Sequence, residues 1–189
     1  MKNPLFSMEE ARRVAWETDP KTLALQLHQW SVRGNLIRLK RGIYAFPEFL
    51  DSKSEVARKL HPPCYISLES ALSGYGLIPD VVFSLTLVTP RTTRSFRTPA
   101  GEFVYHHLKR ELFWGYNPET LMGEREKVIL DYFHLYGKRL TPAVDFWKEA
   151  RWQNLEDVDF EKLQELARKF GTCKAVQLAR TLAAFSNEV

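Results

Sequence analysis

Helix-boundary signals near the beginning of the chain constrain its fold more than any other feature. Ser7 is followed three residues later by Glu10, which makes a capping box: each side chain satisfies an unpaired backbone N–H at a helix start. This predicts a short helix over residues 8–16. Asp19-Pro20 is a second start signal, because aspartate caps a helix and proline suits its first turn. The sequence therefore predicts a second helix over residues 20–33.

A glycine and a basic hairpin follow this second helix. Gly34 is a typical helix stop. The segment Leu36–Phe46 then predicts two short strands, joined at Lys40-Arg41-Gly42, where glycine can adopt positive φ. Helix, turn, helix and basic hairpin are the order of a winged helix-turn-helix. A unit this short is expected to depend on the rest of the chain for stability.

Within the second helix, apolar residues fall on one stripe. Leu23, Leu27 and Trp30 are spaced i, i+4, i+7 and are predicted to face the core. Leu25 and Val32 lie roughly opposite them, and are expected to be covered by the rest of the chain or by a partner.

The remaining sequence predicts a small sheet followed by helices. Strands are predicted at 81–88, 94–97 and 102–108, with a further edge at 113–116. Short helices are predicted before them, up to Leu60 and from Ser67. Later helices are predicted from Asn117 to Tyr136, from Pro142 to Trp152, from Asp157 or Asp159 to Phe170, and from Thr172 to Ser186.

The predicted fold class is therefore α+β, in two domains. A winged helix-turn-helix occupies residues 1–47. A small mixed β-sheet domain occupies residues 48–189, with a helical C-terminal tail from about residue 118.

The distribution of charge favours DNA as a partner. The formal net charge is +4, and no acid lies between Arg33 and Arg41 or between Arg91 and Arg97. Cations at phosphates release counterions, while glutamine and lysine side chains match base edges in the major groove. The candidate DNA contacts are Lys21, Thr22, Gln26, Gln29, Arg33, Arg38, Lys40 and Arg41. Arg91, Arg94 and Arg97 either extend this basic surface or pair with local carboxylates.

Other classes of protein have weaker support. The sequence contains no phosphate-binding loop, serine-nucleophile elbow or zinc-protease motif. Cys64 and Cys173 lack zinc-site spacing, and adjacent His106 and His107 would point to opposite faces of a strand. We expect no catalytic residue, metal or cofactor. The N-terminus, residues 1–4, lacks a secretory signal, and no apolar run is long enough to cross a membrane, so we expect a cytoplasmic protein.

Three alternatives remain open. The winged helix could bind protein in place of DNA. The helix that carries Trp147, together with Trp152, could form a partner surface or pack in the core. A metal-dependent nuclease would use Asp80, Glu102 and Lys109, but the usual lysine position two residues after the second acid is Val104.

Two segments, the hairpin Leu36–Ala45 and the stretch Tyr65–Pro79, are similar to segments of a known family. They resemble the wing and the block that opens the second domain of the AbiEi antitoxins from abortive-infection (type IV) toxin–antitoxin systems. Thr86–Arg91 also fits. Residues 123–131 keep Glu126, Lys127, Leu130 and Asp131 of a motif near A-x-P-E-K-A-L-L-D, but lack its proline.

This resemblance runs from Phe6 to Tyr136 and implies a biological role. It implies a transcriptional repressor that binds double-stranded operator DNA in its own operon. It also implies an antitoxin that counteracts a nucleotidyltransferase-like toxin. Self-association on DNA and the existence of a toxin partner stay open.

Overall fold

A strand that precedes both helices completes the N-terminal unit. The computed structural model describes residues 5–188, so the N-terminal segment 1–4 and Val189 lie outside it. The elements in order are β1 (Leu5–Ser7), α1 (Met8–Val14), α2 (Pro20–Val32), β2 (Ile37–Lys40) and β3 (Ile43–Ala45). All pairings are antiparallel, in the order β1-β3-β2. The sequence analysis missed β1, which has only three residues.

The helix-boundary predictions for this unit are confirmed. Ser7 and Glu10 form the capping box, with hydrogen bonds between each side chain and the other residue's backbone N–H. The Asp19 carboxylate accepts hydrogen bonds from the backbone N–H groups of Lys21 and Thr22. However, α1 ends at Val14, two residues before the predicted Trp16.

The three-stranded sheet is packed on both faces. Tyr44 lies on one face, in a small hydrophobic cluster with Leu23 and Leu27 of α2 and with Leu36. Its neighbours Ile43 and Ala45 lie on the other face and belong to the main core of the protein. Successive side chains of a strand point to opposite faces, so one short strand contributes to both clusters.

The rest of the chain forms one further sheet surrounded by helices. The strands are β4 (Tyr65–Ile66), β5 (Ser84–Thr89), β6 (Arg94–Thr98) and β7 (Gly101–His107). Their order is β4-β5-β7-β6, and β5 pairs parallel to β7 while the other pairs are antiparallel, so the sheet is mixed. The helices are α3 (Lys53–Leu60), α4 (Leu68–Gly74), α5 (Arg125–Tyr136), α6 (Val144–Glu149), α7 (Phe160–Phe170) and α8 (Cys173–Ser186). The predicted α+β class and the mixed sheet are confirmed.

Three sequence predictions in this part are wrong. Residues 81–83 do not extend β5: the side chains of Val81 and Phe83 are 77% and 92% exposed. Residues 113–116 follow a short 3₁₀ helix and form no strand, although Tyr116 makes an isolated antiparallel β-bridge with Gly123. Asn117 does not cap α5, which begins at Arg125; its side chain instead accepts backbone hydrogen bonds within a local turn.

The helical tail follows the predicted order. Asp159 caps α7 through the backbone N–H of Lys162, and Gly171, with φ of +72°, ends it. Trp147 and Trp152 are buried against Phe133, so their interpretation as an exposed partner surface is wrong. Within residues 5–188, no helix is both long and apolar enough to cross a membrane.

A buried polar cluster joins α5 to β4. The Lys127 ammonium group donates hydrogen bonds to Asp131, one turn later, and to the Tyr65 hydroxyl at 2.6 Å. The second Asp131 oxygen accepts from the hydroxyls of Tyr65, at 2.7 Å, and Ser67, at 2.9 Å. All four residues are fully buried. Burial raises the pKa of Asp131 and lowers that of Lys127, and their contact opposes both shifts.

Removing one partner of this cluster should destabilise the protein more than removing the charged pair. We expect Asp131→Ala to lower the free energy of unfolding by about 3–5 kcal/mol, because Lys127 would stay buried without its counter-ion. The double variant Lys127→Met, Asp131→Leu should lose less of the free energy of unfolding, because it leaves no buried charge unpaired. Urea denaturation measures the free energy of unfolding of both variants.

The control is Glu165→Ala, which removes an exposed ion pair with Lys169 and should cost less than about 1 kcal/mol. A loss for Asp131→Ala no larger than that of this control would contradict the role assigned to the cluster.

Candidate nucleic-acid interface

The position of α2 is set by its two ends and its buried stripe. Asp19 caps its first turn, and after its last turn Gly34, with φ of +78°, redirects the chain into β2. The Ser31 hydroxyl donates to the Leu36 carbonyl at 3.3 Å, which ties the end of the helix to the hairpin. Leu23 and Leu27 hold the helix on the sheet, while Trp30, predicted to be buried with them, is 44% exposed.

The other face of α2 is open to solvent. The exposed residues here include five of the predicted DNA contacts: Lys21, Thr22, Gln26, Gln29 and Arg33. Leu25 and Val32 share this face, at 57% and 73% exposed. The expectation that the rest of the chain covers Leu25 and Val32 is therefore wrong.

A β-bulge makes the side chains of Arg38 and Lys40 point to different sides of the hairpin. In a regular strand, Lys40 would point to the same side as Arg38. The pairing of β2 with β3 shifts between Arg38 and Lys40, and a bulge of this kind redirects the side chains that follow it. Arg38 consequently faces α2, whereas Lys40 turns toward the main core.

The Lys40 ammonium group is engaged within the protein. It donates to the Leu60 carbonyl at 2.5 Å and lies 4.9 Å from the centre of the Phe96 ring. Burial lowers its pKa, and the nearby guanidinium groups of Arg94 and Arg91 lower it further. Lys40 therefore joins the hairpin to the second sheet. Arg38 and Arg41 differ: both are exposed, and neither belongs to an ion pair among the described residues.

A groove of about 660 Å³ runs between α2 and the hairpin. Arg38 and Arg41 line one wall, and His28 and Val32 line the other. Tyr44 also lines the groove. His28 was not among the residues predicted from the sequence. Ala24, His28 and Val32 follow one another at a spacing of one helical turn, and this pattern could have identified the helix face toward the hairpin.

The three arginines of the second sheet divide into two groups. Arg91 and Arg94 lie near Lys40 and His61, whose pKa values are lowered by burial and lowered further by these two guanidinium groups. The Arg91 guanidinium group also donates to the Pro62 carbonyl at 3.1 Å. Arg97 instead pairs with Glu102, 3.3 Å away across the β6–β7 pair.

The nuclease candidates do not come together as a set. Asp80 and Glu102 both line a cavity of about 400 Å³, with Glu69 as a third carboxylate, but Lys109 does not line it. Among residues 5–188, no group of three or more His, Cys, Asp or Glu side chains is arranged to hold a metal ion. His106 packs against Tyr136, while His107 hydrogen-bonds the Arg91 carbonyl on the exposed side of β7.

One ion pair fixes α1 to the rest of the protein. The Lys59 ammonium group of α3 donates to both carboxylate oxygens of Glu10, at 2.6 and 2.5 Å. The Lys59 hydrogen bond is the largest cause that lowers the pKa of Glu10 to about 2, and the Ser7 backbone N–H contributes next. Glu10 thus caps its own helix and anchors it to α3.

No protein-family model matches the chain, and no curated protein matches its sequence. The AbiEi resemblance therefore stays a hypothesis from motifs, and the function has to be argued from the geometry of this interface.

The Glu10–Lys59 contact should make stability depend on acidity. The ordinary pKa of the Glu10 side chain is 4.5 and the folded value is about 2, so its ionised form stabilises the fold. Above pH 4.5, we expect the free energy of unfolding of wild type to exceed that of Glu10→Gln by about 1 kcal/mol. The difference is no larger because solvent screens part of the contact. The difference should disappear as the pH falls from 4.5 toward 2.

Urea denaturation at a series of pH values measures this difference. Glu9→Gln serves as the control, because Glu9 pairs only with exposed Arg13. A difference for Glu10→Gln that stays constant between pH 7 and pH 2 would refute the assignment.

Proposed function

We propose that the N-terminal unit is a winged helix-turn-helix that binds double-stranded DNA, and that the protein is a transcriptional regulator. The single observation that carries this proposal is the groove between α2 and the hairpin, with Arg38 and Arg41 on one wall and the open face of α2 beside it. In this assignment α2 enters the major groove, and the hairpin contacts the phosphate backbone.

The connectivity of the unit supports the proposal. A strand, two helices and a two-stranded hairpin follow one another, and β3 lies between β1 and β2. In DNA-binding units of this kind, the second helix of the helix-turn-helix reads bases with its N-terminal residues. Lys21 and Thr22 occupy that part of α2 and are exposed.

Charge supports the proposal independently of connectivity. From Pro20 to Pro47 the sequence contains no acid, and four of its five lysines and arginines are exposed, namely Lys21, Arg33, Arg38 and Arg41. The fifth, Lys40, is engaged by the Leu60 carbonyl. Such a surface attracts polyanions in a manner that depends on salt. Arg91 and Arg94, which lie near Lys40, are included as further proposed contacts, whereas Arg97 is left out because it pairs with Glu102.

The biological role that we propose follows from the resemblance. An AbiEi-like protein would repress its own operon and counteract a nucleotidyltransferase-like toxin. The DNA-binding half of this proposal has support from the geometry described above. The antitoxin half rests on the motifs alone, and co-purification with the product of a neighbouring toxin-like gene would test it.

A protein-binding winged helix is the second candidate. The observation in its favour is the exposed apolar set around the two helices, formed by Val14, Trp16, Leu25, Trp30 and Val32. Exposed apolar patches often mark interaction sites. This candidate predicts a stable complex with a partner protein and no DNA binding at physiological salt.

Loss of the hairpin arginines should weaken DNA binding and its dependence on salt. We expect the double variant Arg38→Ala, Arg41→Ala to bind the protein's own upstream DNA more weakly. The slope of log K against log salt should become flatter by about 2, one for each lost phosphate contact. Fluorescence anisotropy with a labelled duplex, at salt concentrations from about 50 to about 200 mM, measures both the affinity and the slope.

Arg180→Ala is the matched control, because Arg180 is an exposed cation on α8, outside the interface. Its slope should equal that of wild type. An unchanged slope for the arginine double variant would rule out the hairpin as a phosphate contact.

A further inference from the structure

Two apolar side chains on the open face of α2, Leu25 and Val32, are largely exposed to solvent. Leu25 and Val32 belong to neither hydrophobic cluster of residues 5–188. They are seven residues apart, about two helical turns, and so lie on the same side of the helix. That side is opposite Leu23 and Leu27, which hold α2 on the sheet.

The surroundings of these side chains favour DNA as their occupant. Lys21 lies one turn before Leu25, and Gln29 lies one turn after it; both are exposed. The nearest acids in the sequence are Asp19, whose carboxylate caps α2, and Glu48, beyond the hairpin. Apolar side chains among basic ones, in a segment of sequence without acids, complement a polyanion that also presents apolar groups. The major groove of DNA does so, since each thymine carries a C5-methyl group there.

The two side chains differ in their position along the helix. Leu25 lies in the N-terminal half of α2, the half that reaches base edges in a helix-turn-helix. Val32 is the last residue of α2 and lines the groove with Arg38 and Arg41, on the side of the phosphate contacts. Leu25 is therefore the one that can reach a base.

We propose that Leu25 is a specificity-determining residue that packs on the C5-methyl group of a thymine. This rests on the proposed DNA-binding function and adds the kind of base that α2 selects. Gln29, one turn further along the same face, has the donor and acceptor needed to pair with the N6 and N7 atoms of an adenine nearby. The bound sequence then contains at least one A·T pair, and removing one methyl group from it weakens binding.

The test removes that methyl group without altering any hydrogen bond of the DNA. Duplexes that bind wild-type protein are first selected from a random double-stranded library. The selected duplex is then resynthesised with deoxyuridine in place of each thymine in turn. We expect one or two positions at which uracil weakens binding about fourfold, the effect of exposing one methyl-sized group, and no change elsewhere.

The variant Leu25→Ala tests whether Leu25 is the residue that contacts the thymine methyl group. Leu25 is exposed, so the variant should fold as wild type does. It should bind the thymine duplex about as weakly as wild type binds the uracil duplex, and it should no longer distinguish the two. Val81→Ala is the matched control, because Val81 is another exposed aliphatic residue, outside the interface, and its variant should keep the full thymine preference.

The outcomes separate this inference from the proposed function. Salt-dependent binding with no uracil-sensitive position, or with unchanged sensitivity in Leu25→Ala, would overturn the role of Leu25 while leaving DNA binding intact. Binding without enrichment of any sequence would also overturn it. A complete absence of duplex binding would overturn the proposed function and this inference together.

Discussion

The structure depends on a three-stranded sheet that is packed on both of its faces. Tyr44 contacts the cluster under α2, while Ile43 and Ala45 on either side of it enter the main core. Because neighbouring side chains of a strand alternate, this one strand fixes where α2 lies relative to the second sheet. The same alternation turns Arg38 toward α2, and the bulge in β2 turns Lys40 away from it. The proposed DNA surface is thus positioned by apolar residues that pack beneath it.

Two of the segments that resemble the AbiEi family meet in the core of the protein. Tyr65 and Ser67 belong to the segment Tyr65–Pro79, and Lys127 and Asp131 belong to residues 123–131. The fold joins all four in one buried hydrogen-bonded cluster. A cluster with no exposed atom to offer a ligand specifies how α5 docks on β4, since each group needs the others as partners. These two segments therefore describe the core of this chain, whereas Arg38 and Arg41 of the resembling hairpin are exposed.

Features that depend on residues within one turn could be predicted from the sequence. Features that depend on tertiary packing could not. The capping box at Ser7, the Asp19 cap and the Gly171 stop depend on residues within one turn, so the boundaries that they mark were predictable. The apolar run at Val81–Phe83 has strand-forming residues but no strand beside it to pair with. The direction of the Lys40 side chain follows from the irregular pairing of β2 with β3. The exposure of Trp30 follows from the small size of the cluster under α2. Neither cause can be seen in the spacing of apolar residues along a helix or a strand.

The shared core also bears on how such a chain can evolve. A domain that closes its own core can be joined to a new partner without exposing apolar surface. Here a cut after residue 47 would expose Leu5, Leu39 and Ile43, which are buried with α3 and the second sheet. A recombination product that carried only the hairpin and its helices would inherit an open apolar sheet face, a recognised cause of aggregation. The N-terminal unit and the rest of the chain should therefore be inherited together.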